Sequence, residues 1–106
     1  MSNSKKALLL VMMQIDPETE DEFNRWYDEE HLPERMALPG FLVGRRFKAI
    51  EGEPRYLALY DLEDTDVLKS NAYLAKLNEE YTDWTARMRT KFKIVKRNVY
   101  VEITSK

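Results

Sequence analysis

Residues Ala7, Leu8, Leu9, Leu10, Val11, Met12 and Met13 form an unbroken apolar run, and Asp16-Pro17 follows after Gln14-Ile15. A short continuous apolar run fits a β-strand covered on both faces, although periodicity alone also allows a buried helix. Asp16-Pro17 favours the strand, because it is itself a helix start. The Asp16 carboxylate can accept a bond from a free backbone N–H, and Pro17 suits the first helical position. Glu18, Glu20, Asp21 and Glu22 then favour the positive end of the helix dipole. A strand that is apolar on both sides must be covered on both sides, and this demand governs everything that follows.

In the helix, Phe23, Trp26, Tyr27 and Glu30 fall at i, i+3, i+4 and i+7, on one face. Asp21, Glu22, Arg25, Asp28 and Glu29 cover the other. His31, the only histidine, lies at the edge of the apolar stripe and is expected in the last turn. Pro33 disfavours helical geometry at Leu32, so the helix should break there, with a further short turn over residues 34–38. Pro39-Gly40 is a turn signal, and residues 41–50 read as a strand. Residues 51–54 read as a hairpin loop and residues 55–62 as the partner strand. There Leu57 and Leu59 alternate with Tyr56, Ala58 and Tyr60. Asp64 or Thr65, and then Ser70, can cap a second helical region, as one broken helix or two. Residues 92–103 form a last strand, with Val95, Val99, Val101 and Ile103 on one parity and Asn98, Tyr100 and Glu102 on the other.

The 106 residues make one domain, with no room for a second core, and the polar start over residues 1–4 is expected to be disordered. Hydrophobic residues at 43% and charged residues at 34% are a globular balance. A net charge of -2 gives no general attraction to nucleic acid or to an anionic membrane. The acidic first helix and the basic segment from Arg87 to Arg97 read as solvated faces. Cysteine is absent, which excludes disulfides and thiolate chemistry. The apolar run is too short to span a membrane and lacks a signal-peptide cleavage site, so a cytoplasmic location is expected. With one histidine and no suitable carboxylate spacing, neither a metal nor a cofactor is expected. No Gly-rich phosphate loop or serine nucleophile motif occurs.

The order β-α-β-β-α-β is that of the ferredoxin-like α+β plait, a four-stranded antiparallel sheet with both helices on one face. The second sheet face would then expose a large apolar patch in a monomer. A homodimer that buries it, as a dimeric α+β barrel with a cavity, is the expected assembly. The helix bearing Trp26-Tyr27 and ending Glu30-His31-Leu32-Pro33 is followed by Leu38-Pro39-Gly40-Phe41 and by Glu53-Pro54-Arg55-Tyr56-Leu57-Ala58-Leu59-Tyr60. With these motifs the chain resembles the EthD-like branch of the dimeric α+β barrel superfamily. The resemblance implies that His31 corresponds to the EthD-type histidine. It also implies a range of chemistry that includes cofactor-free monooxygenases, lactone isomerases and polyketide cyclases. The histidine pattern of the haem-degrading members is not matched.

His31 has two readings. It can interact with the negative end of its helix and bond a free carbonyl, or it can move a proton to or from a substrate. Glu30 is either solvated, or paired with Arg45 or Arg46, or it orients His31 or an arginine next to a ligand. One of Arg45 and Arg46 must face the helices and the other the opposite side, and the cavity-facing one would suit a carboxylate or enolate. Tyr56, Tyr60, Asn98 and Tyr100 avoid the aliphatic parity of their strands and are candidates to line a cavity or a dimer interface. His31 and Tyr60 are therefore the catalytic candidates, with Tyr27, Glu30, Arg45, Arg46, Tyr56, Asn98 and Tyr100 as substrate-binding candidates. Phe23, Leu57, Leu59 and Val99 are read as core, and Trp26 and Trp84 as helix core or interface. The expected ligand is a small organic molecule, apolar or carboxylate-bearing. The reaction would be an isomerisation, a cyclisation or a cofactor-independent oxygenation. The alternative is a dimer that binds without catalysis.

Overall fold

The computed structural model describes residues 6–106, so the expected disorder of residues 1–4 lies outside the described residues. The apolar run forms β1 (Ala7–Ile15), in which Ala7, Leu9, Met13 and Ile15 are buried while Leu8, Leu10 and Met12 are half-covered. The other strands are β2 (Phe41–Lys48), β3 (Tyr56–Leu62) and β4 (Phe92–Val101). They form one antiparallel sheet in the order β2-β3-β1-β4, with the two central strands being β3 and β1. This is the ferredoxin-like α+β plait, with its helices on one face.

The first helical segment begins with a 3₁₀ turn at Pro17–Thr19 and continues as α1 (Glu20–Trp26). Asp16 caps it differently from expectation. Its side chain makes no cap bond, and its backbone carbonyl accepts from the Thr19 N–H (3.0 Å) and hydroxyl (3.1 Å). The predicted break at Pro33 also does not occur. The chain passes through a π-helical turn (Tyr27–His31) into α2 (Leu32–Met36), and Leu32 keeps helical dihedrals. In a regular α-helix the Pro33 ring would meet the carbonyl of Glu29. The wider turn just before it removes that conflict.

The second helical region consists of three short pieces. Thr65–Lys69 is 3₁₀, followed by α3 (Asn71–Leu77) and α4 (Asp83–Met88). Asp64 accepts from the Asp66 N–H, Ser70 from the Tyr73 N–H and Thr82 from the Thr85 N–H. Each cap satisfies a donor that the helix start leaves free.

Phe23, Trp26, Tyr27, Tyr73 and Met88 from the helices pack on Leu9, Met13, Tyr56, Ala58, Tyr60 and Leu62 from the sheet. The core parity of β3 is thus the aromatic one. Leu57 and Leu59, read from sequence as core, face the opposite side, and Val99 is 43% exposed on the edge strand β4. Two glycines let the layers meet. Gly40 has φ +88°, and a Cβ there would collide with Val67 Cγ2. At Gly44 a Cβ would lie 2.8 Å from Leu32 Cδ1 and 2.9 Å from Met36 Sδ, so the missing side chain lets α2 rest closely on β2 without those two side chains shifting.

The uncovered sheet face carries Leu8, Leu10 and Met12 of β1, Leu57 and Leu59 of β3, and Val43 and Phe47 of β2. Val43 and Phe47 are more than 40% exposed. Among the described residues no helix is long and apolar enough to cross a membrane.

Candidate functional site

The π-helical turn determines where the single histidine points. Its closing bond runs from the Leu32 N–H to the Tyr27 carbonyl, five residues back. Residues five apart do not overlie one another on an α-helix, but in a π turn they do. Accordingly His31 stacks on Trp26, with ring centroids 4.8 Å apart and planes 23° apart, and meets Tyr27 edge-on, also at 4.8 Å. Trp26 in turn stacks on Phe92 of β4 at 5.7 Å. His31 is therefore part of an aromatic layer between helix and sheet rather than a cap on a helix end. Among the described residues no hydrogen bond engages its ring.

Two hollows share His31 as a wall. An inner cavity of about 160 Å³ lies between helices and sheet, floored by Leu9, Val11 and Met13 and walled by Trp26, Tyr27 and Tyr60. An outer vestibule of about 80 Å³ is lined by Glu34, Lys76, Glu79, Glu80 and Tyr81. Arg35, Leu77 and Arg89 border both, as His31 does. The inner wall also carries Arg97 and has no acidic residue. Burial pushes the His31 pKa down from 6.5 to about 3, and the cations Arg35, Arg89, Lys76 and Arg46 push the same way. At neutral pH the imidazole is uncharged, with a lone pair free to accept a proton.

Tyr27 and Tyr60 meet across the layer with their hydroxyls 2.6 Å apart, and both residues are 2% exposed. Burial raises both phenol pKa values, so each keeps its proton and acts as a donor. The site thus joins a neutral proton acceptor, a phenolic donor pair and a cationic rim.

Several candidate residues take structural positions instead. Glu30 is half-exposed, is not paired with arginine, and does not bond His31. Its Oε2 accepts from Thr85 Oγ1 (2.5 Å), Thr82 Oγ1 (2.7 Å) and Trp26 Nε1 (3.2 Å). Burial opposes its ionisation, but these donors outweigh burial and hold its pKa below the usual value. Glu30 therefore ties the π turn to α4. Arg46 is the arginine that faces the helices. It donates to Asp28 (2.8 Å) and Asn24 (2.7 Å) and lies 4.5 Å over the Tyr27 ring. Arg45 lies on the uncovered face, 3.6 Å from Asp61 and over Phe47.

The four residues grouped by parity separate. Tyr60 lines the inner cavity, while Tyr56 donates to Glu20 and accepts from Asn24 outside it. Asn98 and Tyr100 pair with Leu10 and Leu8, and so share the uncovered face, where Asn98 donates to the Tyr100 hydroxyl at 2.7 Å. The sequence reading missed Arg35, Arg89 and Arg97. Arg97 stands opposite Val11, a helix-side residue of β1, a placement that only the β1–β4 register gives.

Among the described residues no three His, Asp or Glu side chains converge to hold a metal. Several solved structures share the fold at low identity. SnoaB, a cofactor-independent oxygenase from Streptomyces nogalater, superposes with a TM-score of 0.70 at 9% identity, over 96% of this chain and 97% of that one. HapK from Hahella chejuensis gives 0.67 at 10% identity, over 94% and 95%. A dimeric ferredoxin-like protein from an uncultured marine organism gives 0.66 at 14% identity, over 97% and 91%. No curated protein is significantly similar in sequence. The domain of unknown function DUF4286 matches residues 6–100, and the chain belongs to that family.

Proposed function

We propose that this chain is one protomer of a homodimeric, EthD-like α+β barrel that binds a small organic molecule beside His31 and moves a proton on it. Neutral His31 accepts the proton, and the Tyr60 hydroxyl, paired with Tyr27, donates to an oxygen of the bound molecule. The observation that carries this reading is the imidazole itself. It is half-buried in a cavity wall, fixed by stacking on Trp26, and has no hydrogen-bond partner among the described residues. Isomerisation, cyclisation and cofactor-independent oxygenation can all begin by removing a proton from an activated C–H or O–H. The fold shared with SnoaB supports this class of chemistry, and the dimeric ferredoxin-like neighbour supports self-association.

A base with so low a proton affinity is weak until substrate arrives. A negative charge about 4 Å from the ring contributes about 4 kcal/mol at an effective dielectric of about 20. That is about three powers of ten in proton affinity. A substrate that becomes anionic as it loses its proton thus strengthens the base that takes it.

Phenylpyruvate provides a test, because it combines a ring, an acidic C–H and an absorbing enol. The wild-type protein should accelerate enol–keto exchange, and His31→Gln should lower that acceleration by about 10²–10⁴-fold while still binding the probe. An unchanged rate in His31→Gln would contradict the assignment. Binding without acceleration in the wild type would favour a purely binding dimer.

A further inference from the structure

We infer that the inner cavity is built for a carboxylate on a single aromatic ring, held by a spare phenolic O–H of the Tyr27–Tyr60 pair and by Arg35, Arg89 and Arg97. The inference rests on the cavity being a ligand site and adds the ligand's chemical class.

Two phenols bring two protons to one contact, and the 2.6 Å bond uses one of them. The other has no acceptor among the described residues, although both side chains are 2% exposed and line the cavity. A buried donor without an acceptor is costly, so the phenol pair favours a ligand that brings an oxygen lone pair.

Arg35, Arg89 and Arg97 border the cavity, and none is ion-paired with a carboxylate among the described residues. Arg97 donates to the Tyr73 hydroxyl at 3.3 Å, and Arg89 lies over the Tyr81 ring. The nearby acids are otherwise engaged or lie elsewhere. Glu30 Oε2 is held by Trp26, Thr82 and Thr85, and Lys76 bridges Glu34 and Glu79, which line only the vestibule. Glu80 lines only the vestibule. An anion entering the inner cavity therefore meets cations and a donor, and no carboxylate.

The size and shape of the cavity suit one ring. A cavity of about 150 Å³ lined by apolar residues holds one benzene ring. The 160 Å³ here has an aliphatic floor from Leu9, Val11 and Met13 and a flat wall at Trp26. One ring fits the floor, and its carboxylate reaches the phenol pair and the arginines.

The test compares benzoate with benzamide, its neutral isostere, by tryptophan fluorescence and calorimetry on the full chain at low salt. Benzoate should bind at least about tenfold more tightly, the margin of a charge-assisted over a neutral contact. Tyr60→Phe and Arg97→Gln should each weaken benzoate by about fivefold or more and leave benzamide within about twofold. Arg97 is exposed on an edge strand, so Arg97→Gln carries the test even if Tyr60→Phe does not fold. Equal affinity for the two probes, no benzoate binding, or benzoate binding indifferent to both substitutions would overturn the inference. Benzoate binding without phenylpyruvate turnover would keep it and remove the proton-transfer reading. His31-dependent turnover with no preference for benzoate over benzamide would do the reverse.

Discussion

Trp26→Ala is expected to destabilise the fold by about 3–5 kcal/mol, read as a fall in denaturant midpoint at unchanged slope. Trp26 is 1% exposed and stands where α1, α4 and β4 meet. Its ring stacks on His31 and Phe92 and lies against Phe23 and Tyr27 at 6.1 and 5.6 Å. Truncation opens a void beside the existing cavity and removes the N–H shared by Glu30 and Thr85. Trp26→Phe keeps most of the packing, and Thr85 still donates to Glu30 at 2.5 Å, so its loss should be well below that of alanine. A domain of this size has only about 5–15 kcal/mol of stability in total, which makes the alanine variant marginal. Equal losses in the two variants would show that the N–H bond, rather than the ring, holds this junction.

Leu59→Lys should convert the dimer proposed above into a monomer, measured by sedimentation velocity at micromolar concentration. Leu59 sits at the centre of β3, opposite Leu10 of β1 and Arg45 of β2, on the sheet face that no helix covers. A lysine there would have to be buried against a mate without a partner for its charge, a penalty of several kcal/mol. In the isolated protomer the same side chain reaches water, so secondary structure should be retained. Leu59→Met, which keeps volume and polarity, should remain dimeric. A Leu59→Lys variant that sediments like the wild type would exclude this face as the self-association surface.

The plait was readable because its signals are local. The apolar run of β1, the helical stripe Phe23-Trp26-Tyr27 and the turn at Pro39-Gly40 each follow from neighbours in sequence. The faces of the strands were less readable. Within β3 the alternation of Leu57 and Leu59 with Tyr56 and Tyr60 shows two faces but not which one meets the helices. Packing onto Phe23 and Tyr27 selects the tyrosines. Parity also does not carry from strand to strand without register, and the irregularity at Met12/Met13 shifts it within β4. For that reason Asn98 and Tyr100 parted from Tyr60. Pro33 suggested a helix break because the rule assumes α-helical geometry, and the π turn satisfies the proline by widening the helix instead. The cationic rim was invisible because Arg35, Arg89 and Arg97 come from three separate segments and only the fold brings them to one cavity.

The depressed proton affinity of His31 has a sign in stability as well as in chemistry. Between pH 6.5 and about 3 the unfolded chain binds a proton that the folded chain refuses. Stability attributable to this group is therefore complete above pH 6.5 and falls as pH drops through that window, by at most about 1.4 kcal/mol per pH unit. Glu20, Glu22 and Glu30, each held below the usual carboxylate value, add losses of the same sign only near and below pH 4.5.

The most direct measurement is an NMR titration of the imidazole nitrogens, which is unambiguous because the chain has one histidine. A ring stacked on Trp26 in the cavity wall should stay neutral through pH 5, with its midpoint moving up when benzoate is added. A midpoint near 6.5 that benzoate leaves unchanged would place His31 in solvent and contradict the site.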